Sequence, residues 1–94
     1  MAVQHTKRHS SRRPKFPNRV REYRLKAGLS QRKLAALLGL GRHAVSAWER
    51  GISLPSFDRG LQLAIELETL AESIYVDLYR AYREARRLAK PTNA

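Results

Sequence analysis

Between residues 18 and 70 apolar side chains recur at helical spacing, and glycines stand between the apolar runs. Residues 42–50 show the pattern most clearly. At about 100° of rotation per residue, Ala44, Val45 and Trp48 fall on one side and Arg42, His43, Ser46, Ala47 and Arg50 on the other. The apolar side suits a core and the polar side suits solvent or a ligand. Residues 31–38 repeat the arrangement, with Leu34, Leu37 and Leu38 expected inward and Arg32 and Lys33 outward. Ser30 stands where an N-cap hydroxyl accepts from a first-turn amide, although Lys33 occupies the place where a capping box has Glu or Gln. Gly39 falls where this helix stops, a position suited to positive φ, and Gly39-Leu40-Gly41 forms the turn, with Leu40 tucked beneath it. The pattern predicts two short helices crossing at a tight turn.

The flanks extend the same reading. Asn18 is expected to cap a first helix that runs to about Ala27, with Val20, Tyr23 and Leu25 as its larger apolar contributors and Gly28 at its end. After a loop over 51–55, Ser56 caps a fourth helix, and Asp58 complements the dipole at its amino end. Phe57, Leu61, Leu63, Ala64, Ile65 and Leu67 supply its apolar surface. From about Ala71 toward Ala89 no breaker interrupts a further helix. Along it Ile74, Leu78, Ala81, Ala85 and Leu88 are spaced 4, 3, 4 and 3, a heptad-like seam with Tyr75, Tyr79 and Tyr82 beside it. Such a seam on a projecting helix is expected to pair two copies of the chain, unless Ile74 and Leu78 only close the core. Residues 1–17 are polar, basic and broken by Pro14 and Pro17, which predicts a disordered arm. The chain thus divides into an arm (1–17), a domain (18–70) and a C-terminal helix (71–94).

Gly28-Leu29-Ser30-Gln31, Leu34-Ala35, Leu38-Gly39, Val45-Ser46, Trp48-Glu49-Arg50-Gly51 and Pro55-Ser56 together carry a resemblance. Over roughly residues 18–70 the chain resembles the lambda-repressor-like, or XRE, family of helix-turn-helix DNA-binding domains. That resemblance implies an all-α, five-helix fold whose third helix, residues 42–50, is the recognition helix. It implies a buried ion pair between Arg24 and Glu49, base-reading side chains at Arg42, His43, Ser46 and Ala47, and a phosphate anchor at Gln31. Where the family usually has Ser or Thr capping the recognition helix, this chain has Gly41, which removes a hydroxyl that often touches phosphate.

The residues point the same way on their own. Arg42 can bridge guanine O6 and N7, His43 and Ser46 can donate or accept at base edges, and Ala47 is small enough to meet a thymine methyl. Arg50, at the helix end, is better placed for phosphate. Arg32, Lys33 and the arm, including Arg12 and Arg13, would add phosphate attraction, and the amide dipole of the second helix assists Gln31.

Charge sharpens the picture because it is unevenly placed. The net charge of the 94 residues is +11, and residues 1–50 hold 13 Lys/Arg against 2 Asp/Glu, whereas residues 51–94 hold six of each. The half with the helix-turn-helix carries the whole excess, which suits a polyanion. The length bounds the core and argues against a large ligand cavity. With no Cys, disulfides, thiolate nucleophiles and Cys-containing zinc sites are excluded. No apolar run reaches the ~18 residues of a membrane span. The acid-free first 21 residues superficially resemble a transit peptide but lack an amphipathic stripe.

Other motifs carry less. Gly39-Leu40-Gly41-Arg42-His43-Ala44 matches a dinucleotide fingerprint in letters, yet that mechanism needs a preceding strand, and helix precedes it here. His5 and His9 have the i, i+4 spacing of metal ligands but no carboxylate nearby, and His43 has no nucleophile or acid pair to work with. The expectation is therefore a cytoplasmic, DNA-associated transcriptional regulator that reads sequence, acts as a repressor and binds double-stranded DNA as a homodimer, with no cofactor, metal, membrane partner or catalysis. One rival is an antitoxin that regulates its own gene through this domain and binds a toxin with its C-terminal helix. Another is a protein or RNA adaptor that binds no operator, against which the charged face of Arg42 and Ser46 argues.

Overall fold

The computed structural model describes residues 14–89, and among them it is all helical. Arg12, Arg13, His5 and His9 lie outside these residues. Six helices follow one another: α1 (Val20–Lys26), α2 (Gln31–Leu37), α3 (Arg42–Glu49), α4 (Phe57–Glu66), α5 (Ala71–Ile74) and α6 (Val76–Ala89). Their buried faces meet in one core built from Val20, Leu34, Ala35, Leu38, Val45, Trp48, Leu63, Ala64, Leu67 and Ile74. Leu40 packs against it from beneath the α2–α3 turn.

The helices stop by a shared device. At the ends of α1, α2, α3 and α4 the residues Gly28, Gly39, Gly51 and Glu68 have positive φ. In each case the next residue's N–H reaches back to a carbonyl in the last turn, as in Leu29 to Arg24 (3.1 Å), Leu40 to Ala35 (2.8 Å), Ile52 to Ala47 (3.0 Å) and Thr69 to Ala64 (3.0 Å). This is the Schellman arrangement, which satisfies carbonyls that the helix leaves open. Starts are handled by side chains where the sequence offers them: Ser30 Oγ accepts from Lys33 N at 2.9 Å and Ser56 Oγ from Arg59 N at 3.1 Å. Gly41, at the start of α3, has no side chain to do so.

Four expectations are corrected. First, Leu25, Leu37, Phe57, Leu61 and Ile65 are exposed, because the inward stripes are narrower than the apolar content suggests. On α1 the residue beside Leu25, Arg24, turns inward, and on α2 Ala35 takes the place expected for Leu37. Second, the domain is entered before residue 18. Phe16 N–H donates to Gly51 O at 3.0 Å, and Asn18 Nδ2 donates to Phe16 O at 2.9 Å and Trp48 O at 2.7 Å. Residues 14–17 are therefore fastened to the end of α3 rather than belonging to a free arm. Asn18 Oδ1 also accepts from Val20 N at 3.0 Å, so it serves the start of α1 from one residue before the N-cap Arg19.

Third, the expected fifth helix is two helices, broken at Tyr75, which sits at φ −111° and ψ 28°. No local breaker causes this. The backbone N–H of Arg19 donates to Ile74 O at 2.8 Å, and the Arg19 guanidinium holds Asp77, in the first turn of α6, at 2.9 and 3.2 Å. That hydrogen bond from Arg19 keeps the Asp77 carboxyl below its ordinary pKa. Fourth, Ile74 and Leu78 are buried in the chain's own core, which leaves only Ala81, Ala85 and Leu88 of the expected seam on the surface.

Two backbone positions give tests. Glu68 adopts the left-handed conformation at φ 55°, which costs an ordinary side chain roughly 1–2 kcal/mol, while glycine loses about 0.5–1 kcal/mol more chain entropy on folding. Glu68→Gly is accordingly expected to raise stability by up to about 1 kcal/mol in denaturant unfolding. At Gly51 a Cβ would collide with Pro14 Cβ and lie 3.0 Å from Phe16 O, whereas at Gly28 it would meet nothing within 4 Å. Gly51→Ala is expected to cost more than Gly28→Ala, and equal destabilisation would show that residues 14–16 do not press on this turn.

Candidate nucleic-acid interface

One side of α3 is packed into the core, and the opposite side is the proposed reading face. Val45 and Trp48 are buried, and Ala44 packs partly against the core. Arg42, His43 and Arg50 are exposed on the opposite side, with Ser46 and Ala47 half-buried between them. The four side chains assigned to bases thus share one face. Arg32 and Lys33 are exposed in the first turn of α2, next to it. The only carboxylate within residues 30–50 is Glu49, and its charge is compensated inside the fold.

That compensation is the best-built feature of the site. The Arg24 and Glu49 side chains are only 9% and 5% exposed. Arg24 Nε donates to Glu49 Oε2 at 2.5 Å, Nη2 to Oε1 at 3.2 Å and Nη1 to Leu29 O at 2.8 Å. Gln31 Nε2 adds a third donor to Glu49, at 2.9 Å from Oε1. One buried carboxylate therefore ties α1, the start of α2 and the end of α3 together. Paired and fully hydrogen-bonded is the form in which a buried charge is tolerated.

From this pair the contacts run outward. Gln31 Oε1 accepts from Arg42 Nη1 at 3.2 Å, so the foremost base-reading candidate leans on the side chain assigned to phosphate. Gln31 keeps one amide hydrogen for a phosphate oxygen. Arg50 Nε donates to Ser46 Oγ at 3.2 Å, which leaves the Ser46 hydroxyl hydrogen free to donate. Behind the turn, the Arg59 guanidinium donates to Leu38 O and, at 3.1 Å, to Gln62 Oε1. Sequence reasoning missed this brace, the clamp from Asn18 to Trp48 O, and the Arg19–Asp77 pair. Each joins residues far apart in the chain, and no local spacing signals them.

A family model described as helix-turn-helix matches residues 20–72, more than half of the chain. The chain belongs to this family, of the XRE or lambda-repressor-like type. It is accordingly a DNA-binding transcription regulator of the XRE type, in a family whose members are regulatory rather than usually enzymatic. No curated protein matches the chain. Among the described residues no helix is long and apolar enough to cross a membrane.

Glu49→Gln keeps the shape but leaves the Arg24 charge buried without its counterion. Removing one partner of such a pair is expected to cost about 3–5 kcal/mol. Arg19 and Asp77 are more than a third exposed, so solvent screens the pair and Asp77→Asn is expected to cost far less. Urea unfolding of the two variants checks the contrast, and equal costs would contradict it.

Proposed function

We propose that this protein is a sequence-specific repressor that occupies its operator by laying α3 in the major groove, two copies reading two half-sites. The observation that carries the reading is the outward face of α3: Arg42, His43, Ser46 and Ala47 share it, and the opposite face is anchored by Trp48 and the buried Arg24–Glu49 pair. An α-helix fits the major groove, where every base pair shows a distinct donor and acceptor pattern. Arg42 is assigned to guanine O6 and N7, His43 and Ser46 to neighbouring base edges, and Ala47 to a thymine methyl. Gln31, Arg32, Lys33 and Arg50 ring this face and are assigned to phosphates, as are Arg12 and Arg13 ahead of the domain. Phosphate contacts position the helix and base contacts supply the sequence information. Repression then needs only occupancy, since a bound operator excludes other proteins from the same DNA.

The division of labour is open to test. Arg42→Ala is expected to lose ~1–3 kcal/mol of discrimination at one base position, measured with sites that differ at that position. Unchanged discrimination would remove Arg42 from the reading set. Replacing Arg12 and Arg13 by Ala is expected to weaken all sites alike and to make log K against log salt shallower by about 0.9 for each phosphate that is no longer neutralised. A salt slope equal to the parent's would take these two residues off the DNA.

A further inference from the structure

On the side of the domain formed by α4, α5 and α6 lies an open apolar groove of about 610 Å³. Leu54, Phe57, Glu72, Tyr75, Tyr79 and Tyr82 are among the residues that line it. The Tyr75 hydroxyl is buried without a hydrogen-bond partner among the described residues. Phe57 is 82%, Tyr79 63% and Tyr82 58% exposed. Sites for small ligands cover about 70–90% of the ligand's surface, and walls this open enclose no such molecule. They suit a long apolar element laid along them.

The same chain offers that element. Residues 79–89 of α6 are all exposed. At 100° per residue, Tyr82, Ala85, Arg86 and Ala89 continue the side of α6 on which Leu78 and Tyr79 line the groove. The helix that helps line the groove therefore leaves the domain with that face uncovered. Glu72 of the groove and Arg86 of the projecting helix are both exposed, and neither forms an ion pair among the described residues. Arg87, by contrast, is already held by Glu84 at 2.6 Å. Charge permits the contact too, because, of the four arginines in residues 79–89, Arg80, Arg83 and Arg87 fall on the side of α6 away from this face.

We propose that the groove is covered by α6 of a second copy of this chain, antiparallel about a two-fold axis near Tyr79, with Arg86 of each copy reaching Glu72 of the other. A two-fold contact uses one patch on both copies, so each projecting helix covers the other's groove in a single step. The surface differs from the Ala81, Ala85 and Leu88 seam expected from heptad spacing, since Ala81 and Leu88 point to another side of α6. The inference rests on the regulator reading only for its purpose, which is to bring two recognition helices to two half-sites.

Sedimentation equilibrium of the full chain without DNA tests it. The parent is expected to dimerise with a Kd of about 10 µM or tighter. Tyr82→Glu is expected to give a monomer with unchanged helical circular dichroism and unchanged affinity for a single half-site, and Leu88→Glu to remain a dimer. Arg86→Glu and Glu72→Arg are each expected to weaken the dimer by about three- to ten-fold and to recover when combined. If Tyr82→Glu loses helicity, the charge swap alone decides. A parent monomeric at about 100 µM overturns the proposal and leaves the groove to a different protein, as in the antitoxin reading. Dissociation by Leu88→Glu but not by Tyr82→Glu, or a charge swap without recovery, overturns it in favour of another contact. Failure of the DNA reading shows separately, as loss of half-site binding in a chain that still sediments as a dimer.

Discussion

Arg24 and Glu49 bring two opposite charges into the interior, and the aim of α3 depends on their staying paired. Hydrophobic burial is non-directional, so Val45 and Trp48 hold α3 against the core without fixing its rotation closely. The guanidinium of α1, with one carbonyl and both carboxylate oxygens as acceptors, does fix it. A helix of eight residues has little stability of its own, so its geometry is borrowed from these contacts. Gln31 carries the constraint outward, because its amide joins Glu49 on one side and Arg42 on the other. The geometry of a face turned to solvent is thereby set from inside the fold.

A second constraint comes from residues 14–19, which cross the domain like a strap. Their backbone and side chains reach Gly51 O, Trp48 O, Ile74 O and Asp77 in turn. One end secures the last turn of α3. The other captures the carbonyl that a continuous C-terminal helix would have used, which breaks the helix at Tyr75 and redirects α6. The same strap thus bears on α3 and on the direction in which the projecting helix leaves.

Much of this was legible from local rules. Helical periodicity located four of the six helices singly and ran the last two together, and glycines at 28, 39 and 51 marked three of the Schellman ends, while Ser30 and Ser56 marked two starts. The exposed face of α3 followed from the wheel that set Arg42 and Trp48 on different sides. What was not legible depends on distant partners. Leu25 reads as core by composition, yet its neighbour Arg24 is buried because Glu49, 25 residues away, neutralises it. Phe57 and Ile65 read as core on α4, yet the domain is too small to enclose more than one stripe of that helix. The break at Tyr75 has no signal in its own neighbourhood, since its cause is the backbone of Arg19. The end of α4 before Ala71 was expected but not its means, since at Glu68 a glutamate does what glycine does elsewhere in the chain.

The uneven charge accords with the proposal that the basic half meets DNA and the balanced half a second copy. Selection of bound fragments from random double-stranded DNA tests the central claim most directly, because it asks whether the protein reads sequence at all. The account predicts a single enriched motif made of two inverted halves about 10–10.5 base pairs apart, one helical turn. Fragments retained without any shared sequence, held by charge alone, would contradict it.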